Sequence, residues 1–597
     1  MESADPMDRL AEKKSALLMN GIIDKTGRVT KNRGVSMVAT ASSLRMIATS
    51  GRNTIRSSHA YQGRNGQNPS SRLLTVLGAS LLRSGENDLM SAHTAITFPS
   101  NIDTPALDRA ASGVFRQKDF YHQNGVDIPF KVACETDDGT APSAVASVLG
   151  LIPPAYCATD IAANGVGSRF PATLPVGYCM TFVYGTRGES GPSPVQYVNY
   201  AASGVTKFDL RNPEPAPTGC TARRIYRTMI GRTSVTTAAT STSLDYAQWE
   251  KPANAQAMYL LTEITDSTTT SYSDDKDDNA LDYSTPVPPP RPYPPISKYQ
   301  AFHLDRIFMA NGREHPYVMQ VVCPVKSGGS PISSGSVTVS NTGNGTISFA
   351  ANDGSPRTLT VSNYKTLTLR AILALINIGY TIYDGNGAQS PTFTRWVAKC
   401  SAGVDLDRTY TFKEVTSQSI VSSAGAYNFV AIDDTTTEGL RWFPNRTWFT
   451  EIGFPEQMDG FNNFDITTGG SKKITACVHS ELDGALVLFT EDKPFIVSGD
   501  FVPALDTGAP VFRIDPAIAA TGNICYRPDA VCATDIGIFY VAYDGLRLFR
   551  GERSTPVGRD VQDWFARVLR QPVARDNLSM HYHGGILRIA LPTDEVP

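Results

Sequence analysis

The chain has 597 residues, of which 41% are hydrophobic and 19% are charged, and its formal net charge is -3. The length exceeds what one hydrophobic core supports, so we expect several domains. The near-neutral charge argues against a protein that grips nucleic acid through its phosphates, because such binding needs an excess of Lys and Arg. Abundant Gly, Pro, Ser and Thr, with few helical periodicities, favour a mainly β chain.

The cysteines are scattered and include no CxxC pair, which excludes zinc ribbons and dithiol redox motifs. We expect them to be buried free thiols of a protein made in a reducing cytoplasm. The N-terminus lacks a basic start followed by an apolar stretch, so no secretion signal is predicted. The apolar runs are too short to cross a bilayer. The nine cysteines are Cys134, Cys157, Cys179, Cys220, Cys323, Cys400, Cys477, Cys525 and Cys532.

The N-terminal part, 1–150, begins with a predicted short helix at 10–19 that ends at Asn20-Gly21. Three later segments each combine a strand, a turn of small residues and a second strand. They are 21–34, 73–83 and 120–129, the last with an Asn-Gly turn. The same pattern fills the C-terminal part, so we expect the two ends of the chain to build one domain.

The first insert, 151–290, has strand lengths and turn spacing typical of a sandwich of the immunoglobulin or fibronectin type III kind. Such modules usually space and present other domains. The acidic cluster 274–278 suggests calcium, but the loop lacks the central glycine and distal glutamate of an EF-hand. We therefore interpret the cluster as a solvated turn.

Seven of the ten residues 286–295 are prolines, which predicts a stiff, extended connector and a domain boundary. Segment 291–324 is expected to rejoin the domain built from the two ends of the chain. A second insert, 325–430, is interpreted as a small α+β domain. Its predicted helix, 368–378, has Thr368 as a candidate cap and Gly379 as its stop.

The C-terminal part, 431–597, consists of strand pairs broken by tight turns. Runs such as 485–489 are apolar throughout, so both faces of those strands should be covered. Hairpin turns are predicted at Asp483-Gly484, Asp544-Gly545 and Gly584-Gly585. The turn glycines 484, 545 and 584 lie 61 and 39 residues apart, against a usual propeller blade period of about 40–50. We predict a β-propeller-like domain, although a β-sandwich would produce the same local pattern.

A second clear helix is predicted at 560–569, with Trp564 and Phe565 among its apolar positions. The helical spacing of these aromatic residues favours a role in a hydrophobic core over a binding site.

The sequence holds no phosphate-binding loop, dinucleotide fingerprint, HExxH or GxSxG motif. His581 and His583 share a face of one predicted strand, which is the start of a metal site, but no third ligand is close in sequence. Carboxylate pairs for glycoside hydrolysis come from different strands and cannot be recognised by spacing. We therefore predict no catalytic, cofactor-binding or metal residues, and a protein that is not an enzyme.

Four segments carry a resemblance to a known family. They are 304–316 (LDRIFMANGREHP), 450–456 (TEIGFPE), 474–500 and 21–34, the last with its basic ending KNRG. In these segments the chain resembles the tail nozzle, or tail tubular, proteins of short-tailed bacteriophages. Residues 188–190 (GES) together with 224–228 (RIYRT) also look like inserts common in phage tail proteins. The resemblance implies a hexameric ring in the virion tail that docks below an adaptor, anchors tail fibres and conducts double-stranded DNA without binding it specifically.

Two other functions remain open at this stage. A propeller of a virion or cell surface could bind or cleave glycans, and an acidic pair facing the propeller axis would favour that function. A cytosolic scaffold propeller is the third alternative, but the chain lacks the WD-type signatures expected of it.

Overall fold

The structure is a computed structural model of the chain, and it is mainly β, with several antiparallel sheets. It describes residues 21–23, 29–31, 55–65, 68–77, 80–84, 93–97, 112–116, 118–134, 145–154, 156–171, 174, 176–193, 195–198, 204–217, 219–230, 244–245, 257–266, 269–289, 291, 293–313, 318–323, 336–341, 345–352, 357–369, 371–373, 397–399, 409, 418–421, 426–431, 442–459, 462–466, 473–499, 501, 511–517, 530–557, 569–570, 578–583 and 586–590.

The strands are numbered in chain order. The first are β1 (Gly21–Ile23), β2 (Val29–Lys31), β3 (Ile55–Asn65), β4 (Asn68–Leu77), β5 (Ser80–Ser84), β6 (His93–Ala95), β7 (Ser112–Arg116), β8 (Asp119–Gln123), β9 (Phe130–Ala133) and β10 (Ser147–Val148). The next are β11 (Ala158–Phe170), β12 (Val176–Val183), β13 (Val195–Val198), β14 (Val205–Pro213), β15 (Ala222–Thr228), β16 (Leu244–Asp245), β17 (Met258–Ile264), β18 (Ser271–Asp274) and β19 (Asp282–Pro286).

The second half of the chain continues the series. It contains β20 (Ile296–His303), β21 (Arg306–Arg313), β22 (Val318–Cys323), β23 (Ser336–Asn341), β24 (Thr346–Asn352), β25 (Arg357–Ser362), β26 (Val397–Lys399), β27 (Gln418–Val421), β28 (Ala426–Ala431), β29 (Trp442–Phe449) and β30 (Asn463–Asp465). It ends with β31 (Ile474–Ser480), β32 (Ala485–Thr490), β33 (Pro494–Ser498), β34 (Arg513–Pro516), β35 (Val531–Thr534), β36 (Gly537–Ala542), β37 (Gly545–Arg550), β38 (Arg553–Pro556), β39 (Ser579–His583) and β40 (Ile586–Ala590). Single turns of 3-10 helix lie at Gly185–Arg187, Asp278–Ala280 and Tyr364–Thr366.

Six four-stranded antiparallel sheets follow one another outside the two inserts, counted over the described residues. Sheet I contains β3–β6, sheet II β7–β10, sheet III β20, β21, β29 and β30, sheet IV β31–β34, sheet V β35–β38, and sheet VI β39, β40, β1 and β2. The first strands of sheets II to VI lie next to one another in succession, since β7 contacts β20, β20 contacts β31, β31 contacts β35 and β35 contacts β39.

Sheet VI joins the two ends of the chain. Ile22 in β1 pairs with Arg588 in β40 on one side and with Thr30 in β2 on the other. Without β1, the strand β40 would leave a row of backbone donors and acceptors unpaired at an open edge. The N-terminal strands therefore complete a sheet that the C-terminal strands begin.

Sheet IV shows why its strands are apolar throughout. All six side chains of β32 are buried. Leu486 and Leu488 point into a core shared with sheet III, whereas Val487 and Phe489 point into a core shared with sheet V. Successive side chains of a strand face opposite sides of its sheet, so a sheet covered on both sides needs apolar residues at every position. The prediction that both faces of 485–489 are covered is confirmed.

Each pair of successive sheets from I to VI shares a hydrophobic core. The cores join I with II, II with III, III with IV, IV with V, and V with VI. The sheets therefore stack face to face, and each of sheets II to V contributes side chains to two cores.

The first insert contains two sheets with one common core. One sheet has the order β11-β14-β18 and the other the order β16-β13-β12-β15-β17-β19. Phe208 and Leu210 from the smaller sheet pack in the same cluster as Tyr178 and Phe182 from the larger one. In the second insert, β22 lies between β26 and β28, and a second sheet has the order β25-β24-β23-β27. The strand β22 thus belongs with the second insert and not with β20 and β21.

The hairpins predicted at 21–34, 73–83 and 474–490 are confirmed, since β1 pairs with β2, β4 with β5 and β31 with β32. The turn predicted at Asp483-Gly484 is part of a four-residue loop, 481–484, because Ser480 pairs with Ala485. His583 pairs directly with Ile586, as the Gly584-Gly585 turn requires. The turn predicted at Asp544-Gly545 is wrong by one residue. Ala542 pairs with Gly545, so the turn is formed by Tyr543-Asp544 and Gly545 begins the next strand at a φ of +121°.

The Asn-Gly segment after β8 forms a longer loop than a two-residue turn. Asn124 accepts hydrogen bonds through its Oδ1 from the backbone N–H groups of Val126 and Asp127, which bends the chain locally. Gly125 has a φ of +75°, a conformation that favours glycine. The strand β9 starts only at Phe130.

The helix predicted at 368–378 begins where expected. Thr368 accepts a hydrogen bond through its Oγ1 from the backbone N–H of Ala371, and Leu369, Ile372 and Leu373 are fully buried. Its stop at Gly379, the predicted helix 10–19 and nearly all of the predicted helix 560–569 lie outside the described residues.

Deleting residues 1–31 should destabilise sheet VI, because β40 loses its neighbour and exposes an unpaired edge. We expect a lower midpoint of thermal unfolding and increased light scattering from edge-to-edge association. The matched control deletes residues 1–19 and keeps β1 and β2. Equal behaviour of the two truncated chains would contradict the pairing of β1 with β40.

Candidate functional site at the first insert

The first insert enters and leaves the stack of sheets between sheets II and III. It begins after β10, and the proline-rich segment returns the chain to β20. The loop 450–462, which follows β29 of sheet III, reaches the same place through Glu456. This junction fixes the insert relative to the sheets, and we describe it as the candidate functional site.

Glu456 joins three parts of the chain through one buried carboxylate, which is 2% exposed. Its Oε1 accepts hydrogen bonds from the Nζ of Lys131, in sheet II, and from the Nε of Arg187, in the insert, each at 2.7 Å. Its Oε2 accepts a further bond from the Nη2 of Arg187. The two-point contact with Arg187 fixes orientation as well as charge, because the planar guanidinium matches the carboxylate.

The electrostatics of the junction keep this carboxylate ionised. Burial alone would raise the pKa of Glu456, but the hydrogen bond from Arg187 and the charges of Lys131 and Arg187 outweigh burial and lower its pKa. In the same way, burial works to lower the pKa of Arg187, and Glu456 raises it above its ordinary value. The junction therefore attaches the insert to the sheets through paired charges and hydrogen bonds.

A glycine lets the loop approach the insert closely. Gly188 has a φ of +108°, and a Cβ at this position would overlap the side-chain amide of Gln457. The backbone N–H of Glu451 donates to the carbonyl of Gln457, which closes the loop on itself. No local sequence pattern predicts this contact, because the loop residues that meet Arg187 and Gly188 are 269 positions away in the chain.

The proline-rich segment is packed against the junction, so the prediction of a simple stiff spacer is incomplete. Arg291 donates a hydrogen bond from its Nη1 to the carbonyl of Glu189, and burial lowers the pKa of Arg291. A Cβ on Gly150 would contact the rings of Tyr293 and Pro294. The segment thus holds the insert in place as well as linking it.

The prediction of a solvated turn at 274–278 holds for the exposed Asp275 and Asp277 but is wrong for Asp274. Asp274 is fully buried and accepts hydrogen bonds from the Nη1 of Arg227 at 2.8 Å and from the hydroxyl of Tyr178 at 2.7 Å. Asp278 accepts a bond from the other Nη of Arg227 at 2.9 Å. The two carboxylates neutralise a buried guanidinium, and this pairing accounts for them without a calcium ion.

The described residues contain no group of three or more His, Cys, Asp or Glu side chains arranged to hold a metal ion. His581 and His583 lie on β39, but their side chains are outside the described part. Six of the nine cysteines are described and are free thiols, as predicted; four of them are buried, and Cys220 and Cys532 are half-buried. The side chains of Cys323, Cys400 and Cys525 lie outside the described part.

Comparisons with known proteins assign no family to the chain. A scan against protein-family models finds no match, and a search of curated proteins also finds none. Within the described ranges, no helix combines the length and apolar character that a membrane span requires.

Replacing Glu456 with Gln should loosen the junction. The substitution removes the counter-charge of Arg187 and leaves Lys131 only its longer contact with Asp119, and we expect a loss of about 2–4 kcal/mol in the free energy of unfolding. The control is Asp465→Asn, which removes a half-exposed pair with Arg446 and should cost less than about 1 kcal/mol. Urea unfolding of both variants measures the difference, and equal effects would contradict the role of Glu456.

The same carboxylate predicts a pH dependence. Its folded-state pKa is lower than its ordinary value of 4.5, so its contribution to stability is complete above about pH 4.5 and is lost as the pH falls further. The Glu456→Gln variant should therefore lose less stability than the parent chain below pH 4.5.

Replacing Arg227 with Met should unfold the first insert locally, because Asp274 would remain buried without its counter-charge. We expect a cost of about 3–5 kcal/mol. The double variant Arg227→Met/Asp274→Leu should recover much of that loss, since no charge then remains buried. Arg169→Ala, which removes an exposed pair with Asp277, is the control and should change little. Equal destabilisation by the single and double variants would contradict this account.

Proposed function

We propose that this chain is a structural protein of a short-tailed phage tail and forms the ring-shaped nozzle below the portal adaptor. In this role it conducts the genome during ejection, anchors tail fibres, and acts as a conduit wall without catalysing a reaction. The single observation that carries the proposal is the composition of sheet VI, in which strands from both ends of the chain pair. That pairing unites both ends of the chain, as a conduit wall built from one set of sheets requires, whereas the two large inserts are a departure from simpler members of the nozzle family.

The finer fold assignment belongs to the same proposal. We take sheets I to VI as the blades of a β-propeller, with β1 and β2 as the outer strands of the last blade. The succession of first strands and the five shared cores support this assignment. The first insert is then a fibronectin type III-like sandwich, because β11 with β14 and β13-β12-β15-β17 pair as that fold requires. The second insert is a small α+β domain.

The segments that resemble the nozzle family lie in the sheets that this proposal uses. Segment 304–316 covers β21 of sheet III, 474–500 covers β31 to β33 of sheet IV, and 21–34 covers β1 and β2 of sheet VI. Segment 450–456 is the loop that carries Glu456 to the junction. The resemblance therefore concerns the stacked sheets and the fastening of the first insert to them.

The physical properties of the chain suit a conduit wall. A net charge of -3 gives no strong attraction for phosphates, so DNA could pass without being held. A ring also needs subunits whose domains keep fixed positions, since head-to-tail contacts close only at a set angle. The buried Glu456 pairings and the packed proline-rich segment supply that rigidity.

Assembly tests the proposal directly. Mixed with the adaptor protein of its phage, the purified chain should form hexamers or adaptor-bound rings, which mass photometry would resolve. A persistent monomer in the presence of adaptor would contradict the proposal. Cleavage of a bacterial polysaccharide by the purified chain would instead favour a glycan-acting propeller.

A further inference from the structure

Two histidines meet at the seam between sheets III and IV. His303 is the last residue of β20, and His479 is the last but one of β31, the neighbouring first strand. Their Nδ1 atoms are 2.9 Å apart, and their ring centroids are 4.8 Å apart. This distance is that of a hydrogen bond, so one Nδ1 carries a proton and the other accepts it.

The environment of His303 opposes a second proton. The residue is 2% exposed, its ring packs on Phe308 and Phe501, and its Nε2 is buried without a hydrogen-bond partner in the described part. A proton added to that ring creates either a buried N–H without an acceptor or two N–H groups pointing at each other across the pair. Both outcomes cost free energy.

The charged groups around the pair do not offset a positive ring. Arg306, which begins β21, donates to the carbonyls of Thr450 and Phe501, and Glu451 lies 3.9 Å from its Nη1. The remaining charged side chains on the adjoining turns are Asp305, Glu481 and Asp483. Asp483 accepts a hydrogen bond from Ser480. No carboxylate of the described part forms a hydrogen bond or ion pair with either imidazole.

The turn beside the pair is the element that would move. Leu304 and Asp305 have φ angles of +49° and +56°, a left-handed conformation that is costly for residues other than glycine. Leu304 is also 45% exposed, so little packing holds it. The backbone N–H of Gly453 donates to the carbonyl of Asp305, which couples this turn to the loop that carries Glu456.

We propose that His303 and His479 form an acid-sensitive latch between sheets III and IV. The latch is closed when at most one extra proton is present, and it opens when both rings are charged and repel each other. Opening releases the strained turn and loosens the seam at that end of the two strands. This inference concerns the seam alone and does not depend on the proposed function.

The pH range follows from linkage. Burial, together with the positive charge of His479, lowers the pKa of His303 from 6.5 to about 4. A histidine with a lowered folded-state pKa leaves stability unaffected above about pH 6.5, and stability is lost as the pH falls from there toward 4. The equilibrium constant for opening the seam, derived from these two pKa values, is about 30-fold larger at pH 5 than at pH 7.5.

Hydrogen exchange measured by mass spectrometry tests the latch in the full-length chain. Opening constants for β20 and β31, corrected for intrinsic exchange rates, are compared at pH 7.5 and pH 5. The parent chain should show the increase of about 30-fold, and His303→Gln should show almost none. The control is Arg169→Ala, which removes an exposed ion pair of the first insert and should keep the full increase.

His479→Gln separates a latch from a single buried histidine. Its side-chain carbonyl can still accept the proton of His303, but it cannot become charged, so the acid increase should be smaller than in the parent chain, with the part due to burial of His303 retained. An unchanged increase in this variant would overturn the latch.

If His303→Gln fails to fold, nitrogen NMR of the histidine-labelled parent chain measures the titration of His303 directly. A ring of His303 that titrates near pH 6.5 would also overturn the proposal.

Discussion

The burial of whole sheets on both faces is the constraint on which the rest of this structure depends. A sheet with two apolar faces must be covered twice, so each sheet requires a neighbour on either side. Sheets II to V meet this requirement by contributing to two cores each. The route of the chain meets a separate requirement, the pairing of the open edge of β40, because β1 and β2 return from the N-terminus to complete the sheet formed by the last strands.

The first insert must be attached to the sheets without disturbing the hydrophobic cores that the sheets share. The first insert leaves between two sheets and is fastened there by charge and close backbone contact. Glu456 binds Lys131 and Arg187, and Gly188 admits Gln457. Such polar contacts depend on geometry more than apolar contacts do, so they fix an orientation where an apolar surface would permit sliding.

Local patterns in the sequence predict the local structure. The apolar run 485–489 indicates a strand covered on both faces, and Thr368 indicates a helix start. Contacts between distant residues cannot be predicted in this way. The acidic neighbours of Asp274 indicate a solvated turn, yet the side chain that neutralises it, Arg227, comes from another strand 47 residues away. The partners of Glu456 cannot be predicted from the sequence either, because a single Glu in a loop gives no indication that it is buried.

The proposed nozzle function and the proposed propeller both require that the two ends of the chain share one body. Electron cryomicroscopy of the purified chain or of the assembled particle tests this requirement most directly. The account predicts six four-stranded sheets around a common axis, with residues 21–31 forming the outer strands beside 586–590. A map with separate N-terminal and C-terminal folds, or with another strand paired to β40, would contradict it.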